Sequence, residues 1–113
     1  MAREQAAADV FFALGDPTRL SVVRKLGSGG ALSATALAGG AAVTRQAIVK
    51  HLQVLEGAGL VSHEKRGREV VYALETRRLE DARAYLETVS AAWDRALERL
   101  RKMVEEPPRS PKR

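Results

Sequence analysis

A chain of 113 residues with 45% apolar content can build one modest core and little more. It contains no cysteine, which excludes a disulfide framework, a thiolate metal site and a cysteine nucleophile. Its 19 Lys and Arg against 14 Asp and Glu leave a formal charge of +5, a balance that favours a polyanionic partner through counterion release.

Single strands and RNA loops are bound on aromatic platforms that stack successive bases. Here Phe11, Phe12, Tyr72, Tyr85 and Trp93 make up 4% of the chain and form no such pattern, so double-stranded DNA fits better. The opening MAREQAAADVFFALGD has no long apolar run with a positive flank and a cleavage site. No membrane span is expected, and the expected location is cytoplasmic.

Taken in order, Arg3 to Leu14 reads as a first helix, with Ala6, Val10, Ala13 and Leu14 on one face and Phe11 and Phe12 widening it. Gly15 closes it. Asp16 suits an N-cap and Pro17 the first helical position, so a second helix should follow, with Leu20, Val23 and Leu26 facing the core as far as Gly27. Arg19 is read as a structural ion-pairing residue rather than a phosphate contact. Gly27-Ser28-Gly29-Gly30 lacks the Gly-Lys-Ser/Thr ending of a phosphate-cradling loop and reads as a turn. Ala31-Leu32 allows a token strand, Ser33 can cap a short helix through Ala38, and Gly39-Gly40 turns the chain again.

The remainder is organised around VTRQAIVKHLQVLEGAGLV, residues Val43 to Val61. Ile48, Leu52 and Leu55 fall at helical spacing, Thr44 can cap, and Val43 with Ile48 occupies the positions of a hydrophobic staple. Gly57 and Gly59 end the helix. Opposite the apolar seam runs a stripe of Arg45, Gln46, Val49, Lys50 and Gln53. Arg and Lys can donate to guanine O6 and N7, Gln can pair with adenine N6 and N7, and Val can touch a thymine methyl. A short helix, a glycine turn and a longer helix with a polar outer face make a helix-turn-helix.

After Gly59 the period changes to two. Val61 to Lys65 and Glu69 to Leu74 read as strands joined by Arg66-Gly67-Arg68, with Tyr72 and Leu74 toward the core. Lys65, Arg66 and Arg68 would make the hairpin a wing on the phosphate backbone or in the minor groove. Thr76 can cap a last helix from about Arg77 to Glu105, whose Leu79, Ala82, Leu86, Val89, Trp93, Leu97, Leu100 and Val104 recur mostly at three and four. A stripe that long overruns so small a domain, which points to a two-fold homodimer with the first helix packed alongside. Residues 1–106 are therefore expected to be the DNA-binding and dimerisation domain, and 107–113, with Pro107, Pro108, Pro111, Arg109, Lys112 and Arg113, a disordered basic tail.

ALGDPTRL, TRQAIVKHLQVLEGAGLV and GREVVYAL resemble, in order and spacing, the ArsR family of bacterial winged-helix transcriptional regulators, from about Phe11 to Leu100. The resemblance implies a homodimeric repressor whose first and last helices build the interface. Here these would supply Val10, Phe11, Leu14, Leu79, Ala82, Leu86, Val89, Trp93, Leu97 and Leu100. It places Thr44, Arg45, Gln46, Val49 and Lys50 where the family's recognition helix meets bases and phosphates, and Lys65, Arg66 and Arg68 on its wing. Two-fold symmetry then implies an inverted-repeat operator.

Metal-sensing members of that family carry a cysteine pair on the helix that opens the helix-turn-helix, or His and carboxylate ligands on the last helix. Here the first of these reads SATALAGG and the last helix has neither His nor Cys. His51 is expected to be packed with a backbone partner, and His63 lies on the wing without neighbours for a metal. The resemblance is therefore closer to the metal-independent branch, with no cofactor; whether it has an inducer, small molecule or protein, the residues do not specify.

The reading is a mainly α fold with a small β-hairpin, a winged helix-turn-helix homodimer that regulates transcription on double-stranded DNA. The competing reading keeps the dimer but makes it a protein-interaction module with weak or no DNA binding. An enzyme is excluded by the lack of clustered His and carboxylates and of a nucleophile with a base.

Overall fold

The computed structural model describes residues 2–39 and 42–105. In chain order these form α1 (Ala2–Leu14), α2 (Pro17–Gly29), β1 (Leu32–Ser33), α3 (Ala34–Ala38), α4 (Arg45–Gly57), β2 (Val61–Arg66), β3 (Glu69–Leu74) and α5 (Thr76–Glu105). The expected 107–113 tail and Gly40 of the second glycine turn lie outside the described residues. The fold is mainly helical with a three-stranded antiparallel sheet in the order β1-β3-β2.

Three helix starts are written locally, as a side chain that accepts a backbone N–H the helix itself cannot satisfy. Asp16 accepts from the N–H of Arg19 at 3.0 Å, Ser33 from Ala36 at 3.1 Å and Thr44 from Ala47 at 3.1 Å. The fourth helix also ends by a local device: the N–H of Leu60 is donated to the carbonyl of Leu55, and that of Gly59 to Glu56, both at 2.9 Å. This is the Schellman arrangement, which needs a left-handed residue at Gly59 (φ +78°) and buries the following Leu60. A side chain at Gly59 would also bring its Cβ within 2.9 Å of the Arg78 Cγ.

The core gathers Val10 and Ala13 of α1, Val22 and Leu26 of α2, Leu37 of α3, and Ile48, Leu52 and Leu55 of α4, closed by Leu60 and Val61. Tyr72 and Leu74 pack against it from β3. Burial of this kind, at about 25 cal/mol per Å² of apolar surface, holds α3 and α4 in their helix-turn-helix relation; five residues of α3 have no stability as an isolated helix.

Two expectations about α2 are corrected. The helix does not stop at Gly27 but runs through Gly29 and ends at Gly30, whose φ of +76° breaks the pattern. Two glycines cost roughly 1 kcal/mol each in a helix, yet Leu26 just ahead of them is anchored in the core, and the Ser28 hydroxyl is donated to the carbonyl of Arg24. The buried stripe is also turned: Leu20 is half exposed, and Val22 takes its place at 2% exposure. The cause is Arg19, whose Nε donates to the Ala13 carbonyl at 2.6 Å, with a second contact from its guanidinium to Phe12 O at 3.4 Å. This satisfies the Ala13 carbonyl left open at the end of α1, adds to a Phe12 carbonyl that also accepts the Gly15 N–H at 3.1 Å, and goes with positions 19, 22, 23 and 26 turned inward.

The expected hairpin forms with Val61 opposite Leu74 and Arg66 opposite Glu69, but β2 reaches one residue past Lys65, so the turn is Gly67-Arg68 rather than Arg66-Gly67-Arg68, with Gly67 at φ +63°. The last helix includes Thr76 as its first residue instead of using it as a cap. The chain divides into two compact units between Ala82 and Arg83, within α5. In the first, Ala82 is buried and Leu79 packs on the core. The second is a helix braced along its surface by Arg83–Glu87 and by Arg101 with Glu98 and Glu105.

Candidate nucleic-acid interface

Burying Ile48, Leu52 and Leu55 turns the other side of α4 outward. Arg45, Gln46, Lys50 and Gln53 are exposed there, and none of the four side chains has a hydrogen bond or ion pair among the described residues. Their donors are open to an external partner. Thr44 is exposed too; its oxygen accepts the Ala47 N–H, which leaves the hydroxyl proton for a phosphate. Val49 differs from expectation. It is half-buried and packs against the core, because it borders the seam of Ile48 and Leu52, and it offers only part of its surface to a thymine methyl.

On the wing, strand alternation separates the three expected cations. Val61, His63 and Lys65 share one face with Leu74, Tyr72 and Val70, while Ser62, Glu64 and Arg66 point to the other. Lys65 is exposed and Arg68 sits at the turn, both without an ion pair among the described residues. Arg66 is already engaged, its Nε donating to Glu64 Oε2 at 2.7 Å. The pattern of basic residues in the sequence did not register that carboxylate; the period-two spacing of Glu64 and Arg66 was the available signal.

Both histidines differ from expectation in their partners. His51 Nδ1 faces the Arg19 guanidinium at 3.2 Å, and a carboxyl oxygen of Asp16 at 3.8 Å, rather than a backbone group. Arg19 is structural, but through hydrogen bonds to the Ala13 and Phe12 carbonyls and its contact with His51 rather than through the expected ion pair, and it links α1, α2 and α4. The backbone N–H of Arg19 holds the Asp16 carboxyl below the ordinary carboxylate range. His63 Nδ1 lies 2.6 Å from Glu56 Oε2 at the end of α4. No group of three or more His, Cys, Asp or Glu that could hold a metal occurs among the described residues, and none of their helices is long and apolar enough to cross a membrane.

The model of a helix-turn-helix domain family matches residues 14–64, the span from the end of α1 into β2. Among solved structures, an ArsR-like transcriptional regulator from Rhodococcus is 38% identical, with a TM-score of 0.79 over 94% of this chain and 98% of its own. CmtR of Mycobacterium tuberculosis, a transcriptional regulator, is 38% identical over 92 residues, which are 81% of this chain and 77% of that protein. The chain belongs to the ArsR family of winged helix-turn-helix transcriptional regulators. Two further similar proteins bear on how such a regulator works. The transcriptional repressor SdpR of Bacillus subtilis is 32% identical over 66% of this chain and 81% of its own. A winged helix-turn-helix DNA-binding domain from Mycobacterium bovis, 26% identical with a TM-score of 0.62 over 87% of each chain, is described as homodimeric. CmtR itself is described as a cadmium metal sensor.

In this ArsR-family chain the ten residues expected at a dimer interface separate into three groups. Val10 and Ala82, at 1% and 4% exposure, are buried in the chain's own core and have no surface left for a partner. Phe11, Leu14 and Leu79 are half-buried against the core. Leu86, Trp93, Leu97 and Leu100 are 49–62% exposed, with Val89 half-buried among them. Sequence reasoning left out Met103, and it used Phe12 only to widen the face of the first helix; both are more than 70% exposed.

Proposed function

We propose that this regulator is a homodimer that reads double-stranded DNA in a sequence-specific way and represses transcription from an inverted-repeat operator, without a thiolate metal switch. The observation that carries the reading is the open stripe of Arg45, Gln46, Lys50 and Gln53 on α4 beside a wing whose Lys65 and Arg68 are unpaired among the described residues. Base-edge donors on a helix with phosphate-seeking cations on an adjacent hairpin supply the two contact classes a specific site needs. Thr44, the rest of Val49 and, once released from Glu64, Arg66 complete the contact set.

Dimerisation is supported by the exposed seam of α5, since apolar side chains at steps of three and four on a helix are stable in water only when covered, and by the homodimeric relative. Two recognition helices related by a two-fold axis would meet half-sites about 34–36 Å apart. The repressor sense follows SdpR, and the cytoplasm follows from a DNA target. CmtR shows that metal sensing occurs among relatives; a cysteine-free chain has no thiolate to share that chemistry.

The test is selection of bound duplexes from a random pool, with purified protein, no added metal and near-physiological salt. One recovered inverted-repeat motif is the expected result. Recovery of no motif, with binding that disappears as salt rises, would reject sequence-specific reading and favour the protein-interaction alternative.

A further inference from the structure

Support for the wing fades outward from the core. Val61 is 3% exposed, its outward neighbour pair His63–Tyr72 is partly covered, and Val70, opposite Lys65, is 38% exposed. On this face apolar packing carries the hairpin only as far as His63 and Tyr72, whose ring centroids lie 5.8 Å apart at 48°, while on the opposite face Val71, across from Glu64, is still buried at 8% exposure. At that level His63 also reaches sideways to the last turn of α4, with Nδ1 2.6 Å from Glu56 Oε2. Beyond it, the ion pair found on the wing among the described residues, Arg66–Glu64, is internal to the hairpin.

We infer that Glu56 and His63 are positioning residues, whose bond sets the angle at which the wing leaves the recognition helix. The inference rests on the DNA-binding reading above, since the angle matters where Lys65 and Arg68 must meet phosphates while α4 occupies the groove. The turn lies about four residues past His63, roughly 13 Å at the rise of a strand, so a swing of about 10° displaces it by about 2 Å. That is enough to move a donor out of hydrogen-bond range. The two side chains are 51% and 35% exposed, so their pairing contributes little to folding, and its loss leaves the core intact.

The full chain is compared with His63→Asn, Glu56→Gln and the double variant. Without DNA, residual dipolar couplings of the Glu64 to Val70 amides report the wing's orientation relative to α4; all three variants should shift them alike. With the selected operator, His63→Asn should weaken binding about two- to fivefold, the range of a surface ion pair. The same change should do nothing further in the Glu56→Gln background, and His63→Lys, which supplies an N–H donor for Glu56, should restore most of the loss. Unchanged couplings in His63→Asn would overturn the inference whatever the affinities do, and so would equal effects of His63→Asn in both backgrounds. A protein that selects no duplex motif would fail the DNA-binding reading instead, and the DNA-free couplings would still decide whether the tie exists.

Discussion

Trp93→Ala is the sharpest perturbation of the proposed dimer, because Trp93 is the only tryptophan and lies on the uncovered seam of α5. It is 62% exposed in the single chain. With about 150–250 Å² on a tryptophan side chain, that leaves roughly 95 to 155 Å² for a partner to cover. At about 25 cal/mol per Å², covering it contributes about 2.5–4 kcal/mol per protomer. A two-fold interface contains the residue twice, so even after alanine recovers part of the burial the loss should reach about 4 kcal/mol, a thousandfold rise in the dimer dissociation constant. Sedimentation across a dilution series measures this directly, while circular dichroism should show the helices retained. The wild-type protein gives an independent signal: Trp93 emission should shift from a buried to an exposed maximum on dilution through the same concentration range. A Trp93→Ala protein that stays dimeric at nanomolar concentration would refute the reasoning. So would wild-type emission that is solvent-exposed wherever the dimer is populated.

Other outcomes are expected at the interface with DNA and at the start of α2. Arg45→Ala should reduce discrimination between operator and random duplex by about 1–3 kcal/mol; equal losses on both would remove Arg45 from base reading. Arg68→Ala should weaken all duplexes alike and lower the salt slope by about one. Glu64→Gln should act in the opposite direction, releasing Arg66 from its 2.7 Å partner to a phosphate, so that binding tightens and the slope steepens by about one; an unchanged slope would mean Arg66 does not reach DNA. For Asp16, the folded-state pKa lies below its ordinary value of 3.8 because it accepts the Arg19 N–H. Its stabilising contribution is therefore complete above that value and lost as pH falls through the lower folded-state one. The melting-temperature gap between wild type and Asp16→Ala should be full at neutral pH and close in acid; a gap independent of pH would mean the ionised cap is not its source.

What the sequence by itself determined was whatever a few neighbouring residues can specify. The caps at Asp16, Ser33 and Thr44, the seam of Ile48, Leu52 and Leu55, and the hairpin from Val61 to Leu74 all depend on hydrogen bonds or periodicities spanning less than a dozen or so residues, and each stands where the pattern placed it. The polar stripe of α4 follows as well, since burying one face of a helix exposes the other. Only the tertiary structure could decide matters that rest on residues meeting from separate elements. Arg19 turns α2 so that Val22 replaces Leu20 in the core, because the carbonyls it binds belong to α1. Val10 and Ala82 fall inside the core because the elements around them close over both, whatever their helical spacing suggests. The approach of α4 to β2 likewise brings Glu56 to His63, whereas Glu64 and Arg66 meet within one strand at a spacing of two. Composition counts such charges, but only the packed chain fixes which of them are already answered from within and which remain open to a partner.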